Sequence, residues 1–282
     1  MVPFRLPKGK RAKVNRTLQR KETVVRDAST RMEKTMRAAI NQIAEHYQRT
    51  GRYADPDLSQ METDGEMFYR AVVTAAFLDA EDLKGRKPGK KRLSKLPFGI
   101  PNSLRSLEQI FRDSRYWPKV LKRNKLLTDK LRKAYLAKLR KKFQTVVPML
   151  TQGFMSVEDV KEKLQEEWQT SRARVETIFR TETTTYFTKT QIAYFKGDDA
   201  ILGFIFDSII DKARTPICKS RHGLVYRPDS PLLQKNQPPC HFNCRSHLIP
   251  LANTPANRKM LEDPQRDPTI RKVIPLPPGW RN

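Results

Sequence analysis

The uneven placement of positive charge is what most limits how this chain folds. Lys and Arg number 56 against 30 Asp and Glu over 282 residues, a formal charge of +26. Residues 1–150 hold 36 basic and 15 acidic side chains, a net +21, whereas residues 151–282 hold 20 and 15, a net +5. Like charges at the first density repel one another in any compact state, so that half calls for a polyanion, and nucleic acid is the natural one. The nearly balanced half folds more conventionally. A hydrophobic content of 38% supports a modest core and excludes a wholly disordered chain. No run of about 18 apolar residues is present to span a bilayer, and no helix pattern carries the bulky apolar face of an interfacial helix, so no membrane partner is expected. The first residues lack the apolar core of a signal peptide. Three cysteines are too few for a disulfide framework and predict a reducing compartment.

The expected fold class is α+β: a basic helical N-terminal half, then a small domain of two helices and about three short strands, then a Pro-rich arm. Residues 1–16 have no apolar period and read as a flexible basic arm. Between Thr17 and Thr50, Leu18, Val25, Ala28, Met32, Met36, Ala39, Ile43 and Tyr47 recur at steps of three and four or their sums, the pattern of an amphipathic helix ending at Gly51. A second helix is expected over Glu62–Leu83, and the Gly- and Pro-rich basic segment 84–101 reads as a loop. A third, Lys119–Phe143, places Leu127, Leu131, Tyr135, Leu139 and Phe143 in one row and leaves a wide positive face. Within 17–150, Lys90, Lys91, Arg92, Lys122, Arg123, Lys133, Arg140, Lys141 and Lys142 are the candidates for contact with the phosphates of double-stranded DNA. With the aromatics on the packing row there is no stacking platform, so contact independent of sequence is expected.

After Pro148 the composition shifts. Ser156 with Asp159 reads as a capping box opening one helix, Ser171–Lys196 as a second, and Ile201–Ile210, Leu224–Tyr226 and His247–Leu251 as strands of a domain over 151–251. Residues 252–282 read as an extended Pro-rich tail. All three cysteines and three of the four histidines fall between Cys218 and His247. Cys218, His222, Cys240 and Cys244 have the two-arm spacing of a structural zinc site, with His241 and His247 as alternative ligands.

The ordered series Arg180-Thr-Glu182, Gly203-Phe-Ile-Phe-Asp-Ser, Arg214-Thr-Pro-Ile-Cys218, Gly223, Pro238-Pro239 and His241-Phe-Asn-Cys-Arg245 resembles the phage Mu F-like family of minor head, or head morphogenesis, proteins. The resemblance covers roughly residues 155–251. It implies a non-enzymatic minor capsid protein of a tailed-phage virion, inside the head or at the portal vertex. It also implies portal or major capsid protein as partner and a part in assembly, packaging or ejection of DNA. The chain departs from the family at Thr215 and Ser246, where relatives often carry Cys. Arg180, Glu182, Asp211, Arg214, His241 and Arg245 are expected to form a buried polar network that fixes the small domain. An alternative reading takes His222, Asn236 or Asn243, and His247 as a His-Asn-His set in a metal-dependent DNA-processing enzyme. It requires a ββα element, and the prolines between Pro238 and Pro250 leave no room for its helix.

Overall fold

A computed structural model describes residues 8–83, 117–195 and 197–280, with side chains from residue 15 onward and none over 81–83. The basic loop with Lys90, Lys91 and Arg92, and the first seven residues of the basic arm, lie outside the described residues. Among the described residues, seven helices and three strands follow in the order α1 (Lys8–Thr50), α2 (Gln60–Leu83), α3 (Trp117–Thr151), α4 (Val157–Phe195), β1 (Ile201–Asp207), α5 (Pro216–Arg221), β2 (Val225–Tyr226), α6 (Pro231–Asn236), β3 (His247–Ala252) and α7 (Pro255–Glu262). The architecture is α+β. None of the described helices is long and apolar enough to cross a membrane.

The chain divides into two compact units that do not follow the boundary near residue 150. Among the described residues, one draws on 8–24, 71–83, 177–195 and 197–280, the other on 25–70 and 117–176, so α1, α2 and α4 each supply residues to both.

In the helical unit, the apolar period of α1 becomes burial: Val25, Ala28, Met32, Met36, Ala39 and Ile43 are all interior. Tyr47 meets Phe143 of α3 edge-on at 5.3 Å, and Tyr135 of α3 meets Trp168 of α4 at 6.4 Å. The α1 helix stops where expected. Gly51 takes φ +66° and its N–H closes on the Tyr47 carbonyl at 2.8 Å, a left-handed cap that favours glycine. In α3 the buried row agrees with the sequence only at Tyr135, Leu139 and Phe143. Nearer the N-terminus it runs through Val120, Asn124 and Thr128 rather than Leu127 and Leu131. The cause is Gly65 on α2: without a Cβ it lets α3 approach so closely that an added methyl would lie 2.1 Å from Asn124 Oδ1, and Asn124 donates to the Glu62 carbonyl at 3.0 Å. A hydrogen-bonded amide outcompetes leucine in that gap. Pro148 does not end α3, which runs on to Thr151; a proline in the last turn removes one donor and leaves the preceding ladder intact.

The capping box forms, with the Asp159 N–H on Ser156 Oγ at 3.1 Å and the Ser156 N–H on Asp159 Oδ2 at 2.7 Å. The helix it opens is not followed by a separate one at Ser171. It continues unbroken to Phe195, because nothing from Gln169 to Ser171 forbids helical dihedrals: threonine and serine lower propensity by a few tenths of a kcal/mol and break nothing.

In the other unit, β1 is the centre of an antiparallel sheet of order β2-β1-β3, with Phe204 opposite both Tyr226 and Pro250, and Ile205 opposite Val225 and Ile249. Period-two alternation gives it two buried faces. Phe204, Phe206, Tyr226 and Leu248 share one core with Phe195, Cys218, Leu233, Cys240 and Cys244. Ile205, Val225, Ile249 and Leu251 make the other, covered by Leu18, Met260 and Leu261. The Pro-rich tail is not a loose extended arm. It contains α7 and a 3-10 turn, packs Val273 and Leu276 on the first core, and is tied by Trp280 Nε1 to the Pro239 carbonyl at 2.9 Å.

Candidate functional site

Thr215 caps α5 by accepting from the Cys218 N–H at 3.3 Å, and Pro216 opens its first turn, so Cys218 is fixed one turn into a six-residue helix. The loop after α6 brings in the remaining donors. Thr184 donates to the Cys244 carbonyl at 2.8 Å and Thr181 Oγ1 accepts from the Asn243 N–H at 2.9 Å, which pins that loop to α4 while Asn243 adopts φ 60°. The result is a cluster in which one donor atom from each of Cys218, His241 and Cys244 lies within 4.8 Å of the others. Cys218 Sγ is 3.2 Å from His241 Nε2 and 3.7 Å from Cys244 Sγ. All three cysteines of the chain are free thiols.

Their electrostatics suit a cation. The neighbouring thiol of Cys218, aided by burial, pushes Cys244 up to about 12, and contact with Cys240 raises Cys218 in turn. The Cys244 thiol holds the His241 imidazole above its ordinary value. Buried thiols that raise one another in this way keep their protons at neutral pH, and a dication reverses the order by favouring the thiolates. Two thiols and one imidazole form a donor set that could hold a soft or borderline metal ion.

His222, paired with Cys218 by spacing, is not in this group. Had α5 continued, an i, i+4 pair would share one face; it ends at Arg221, and His222 turns out at ψ 127°. Its Nδ1 accepts from the Ser208 N–H at 3.2 Å and lies 3.4 Å from Asp207. Cys240 is also outside the three, its sulfur 3.7 Å from the Asn236 carbonyl.

The six residues expected as one polar network separate into local pairs. Arg245 holds Asp211 through contacts of 2.8 and 2.7 Å, and this partner keeps the Asp211 carboxyl below its ordinary range. Arg180 holds Glu22 at 3.1 Å and Asn243 Oδ1 at 2.8 Å, and Arg214 reaches Ser208 at 3.5 Å. His241 belongs to the thiol cluster. Glu182 alone of the six is buried. Glu22 and Asn243, which sequence reading did not associate with Arg180, intercept it first.

The His-Asn-His set does not assemble. Asn236 Oδ1 accepts from Arg221 and Asn243 Oδ1 from Arg180, while the two histidines flank Asp207, His247 Nε2 at 3.2 Å. Burial holds His247 far below its ordinary value, down to about 3, with repulsion from Lys21 adding to it. A histidine that stays neutral when folded but protonates near 6.5 when unfolded gives the unfolded chain the extra proton between those values. Stability from this group is therefore complete above pH 6.5 and is lost as pH falls toward 3. Between pH 7 and 5 the loss is on the order of 1–2 kcal/mol. Urea midpoints at the two pH values check it, and His247→Gln flattens the difference.

Sequence reading missed Lys21, Asp207 and the buried threonines Thr183, Thr184, Thr188 and Thr190 of α4. Of these four, Thr184 is the one whose hydroxyl makes a hydrogen bond, to the Cys244 carbonyl; the run Thr-Glu-Thr-Thr-Thr was the available signal.

Of the basic candidates on α3, Lys122, Arg123, Lys133, Arg140 and Lys141 are exposed. Arg140 is engaged by Asp55 through two contacts, and Lys142, half-buried, lies 3.4 Å from Glu166. No curated protein and no solved structure gives a significant match. A family model does: the model for phage Mu protein F like protein matches residues 144–249, from the last turns of α3 through the helix, sheet and thiol cluster to β3. Across those residues, a little over a third of the chain, it is similar to the phage Mu F-like family of head morphogenesis proteins.

Proposed function

We propose that the protein is a non-enzymatic minor capsid component of a tailed-phage virion, placed inside the head or at the portal vertex. There it binds double-stranded DNA without sequence preference and docks on portal or major capsid protein during assembly, packaging or ejection. In this reading a structural zinc ion is held by Cys218, His241 and Cys244. The observation that carries the DNA part is the basic surface of α3, where Lys122, Arg123, Lys133 and Lys141 are exposed in a chain of net charge +26. Such a face neutralises phosphates and releases counterions, and it carries no base-edge readout. The head supplies the polyanion that so much charge requires.

The test keeps the chain whole, because residues near the N-terminus belong to the same unit as residues 177–249 of the family segment. Affinity for a random-sequence duplex is expected to fall steeply from 50 to 200 mM salt. Changing Lys122, Arg123, Lys133 and Lys141 together to glutamine lowers the magnitude of the log–log salt slope by about 3 to 4, at roughly 0.9 per phosphate contact. Binding that ignores salt, or a slope untouched by the four changes, overturns this reading.

A further inference from the structure

We infer that Cys240 is the fourth ligand of this centre, making it a Cys3His zinc site whose surplus negative charge is balanced by the buried ammonium of Lys21. The inference rests on the metal reading above. Structural zinc sites are closed tetrahedra of four protein ligands, so a group of three needs one more donor from within reach. Cys240 is fully buried, adjacent to His241 in sequence and four residues before Cys244. Besides its contact with the Cys218 thiol, its sulfur makes two long contacts, 3.7 Å to the Asn236 carbonyl and 3.8 Å to that of Gln237. Turning it inward is a rotamer change that sacrifices two weak interactions. The hydroxyl of Ser246 also meets Cys218, but a neutral hydroxyl is a poor zinc donor beside a thiolate.

Charge supplies a second, independent argument. Two thiolates neutralise a zinc dication, whereas three leave a net charge of −1 that a buried site must offset. Lys21 is only 5% exposed, with Nζ 3.4 Å from the Ser246 carbonyl and 4.9 Å from the centre of the Phe187 ring. The charged or titratable groups acting on it or acted on by it are Cys244, Asp79, Glu22 and His247. The two carboxylates have other cations: Asp79 is held by Arg20 at 3.1 Å and Glu22 by Arg180 at 3.1 Å. Burying an ammonium beside a neutral thiol is costly; beside a Cys3His zinc anion it is a matched pair.

Cobalt(II) is the probe, titrated into the full chain freed of metal by a chelator. Sulfur-to-cobalt charge-transfer absorption grows with the number of thiolates, so the wild-type spectrum is expected to have the intensity of three. Cys240→Ser removes a third of it and weakens cobalt binding at least tenfold, taking the low end of the roughly 10–100-fold effect of losing a supporting group. Lys21→Met keeps the three-thiolate spectrum and weakens binding by about tenfold. His222→Ala changes neither. A wild-type spectrum of two thiolates, matched by Cys240→Ser, overturns the inference while leaving the metal reading intact. Failure of the wild-type chain to take up cobalt or zinc at all overturns both. The wild-type spectrum counts the thiolates without help from a variant, so a Cys240→Ser chain that fails to fold does not blunt the test.

Discussion

Gly203→Val is expected to unfold the unit that contains the sheet, or to lower its stability by roughly 3 kcal/mol or more. Gly203 lies in β1 opposite Leu251, and a Cβ built on it falls 2.6 Å from the Tyr226 carbonyl oxygen and 3.4 Å from its carbon. That obstacle is backbone, and it cannot swing away like the end of a side chain. Relief requires β2 to withdraw from β1, but β2 has only Val225 and Tyr226, and its pairing with Phe204 and Ile205 is what closes both cores. Even alanine supplies the colliding atom, so Gly203→Ala is expected to cost about 2 kcal/mol, with valine adding branched methyls. A contrast comes from Gly153, at φ +76° with open space around it, where alanine costs only the left-handed backbone, about 1 kcal/mol. Urea unfolding followed by near-ultraviolet circular dichroism checks both, and equal losses at the two glycines would sink the steric account.

The sheet was legible because its signals are local. Ile201-Leu-Gly-Phe-Ile-Phe, Val225-Tyr226 and His247-Leu-Ile-Pro-Leu are short apolar runs set off by turn residues, and each became a strand within a few residues of where the pattern put it. The long helices were legible for the same reason, since a period sustained from Leu18 to Tyr47, about eight turns, has one physical solution. What was not legible depends on partners distant in sequence. Nothing in α3 itself says that Gly65 on α2 admits Asn124 and Thr128 to the interior. Nothing around Arg180 announces Glu22, 158 residues away.

The thiol cluster lies between these cases. Its residue types were evident from their crowding, but the choice among histidines was not, because spacing measures distance along the chain and the end of α5 reverses direction. One dihedral at His222 sends that ring to Asp207 and leaves the place to His241. The tail failed for a different reason. Proline-rich composition describes conformational preference, whereas the docking of Val273, Leu276 and Trp280 depends on a surface formed by residues 195–248.

Arg221→Ala is the second change with a large expected effect, a loss of about 3–5 kcal/mol together with release of the tail. The side chain is 1% exposed, and its hydrogen bonds go to neutral acceptors: Nε donates to Asn236 Oδ1 at 3.0 Å, and Nη1 to the carbonyls of Ile217 at 2.9 Å and Ile274 at 2.8 Å. A guanidinium buried without a carboxylate is tolerable only while its donors are engaged, and Nε and Nη1 together make three such bonds. Its removal strands the Asn236 and Ile274 oxygens in a cavity too polar to collapse, while the Ile217 carbonyl keeps Ser220 Oγ at 2.9 Å. Because one of them belongs to residue 274, the same deletion unfastens the tail, whose Ile274 N–H is held otherwise by Ser220 Oγ at 3.1 Å. Lysine keeps the charge but lacks the planar fork and cannot satisfy all three, so Arg221→Lys is expected to recover only a minor part of the loss. Brief trypsin treatment reads the two effects separately from thermal unfolding: cleavage after Arg271 and Lys272 should appear in the Arg221→Ala chain below its unfolding temperature and stay slow in the wild type. A variant that loses stability yet keeps those bonds protected would show that Arg221 braces α5 and α6 alone, and that the tail is fastened by Trp280 and its apolar contacts.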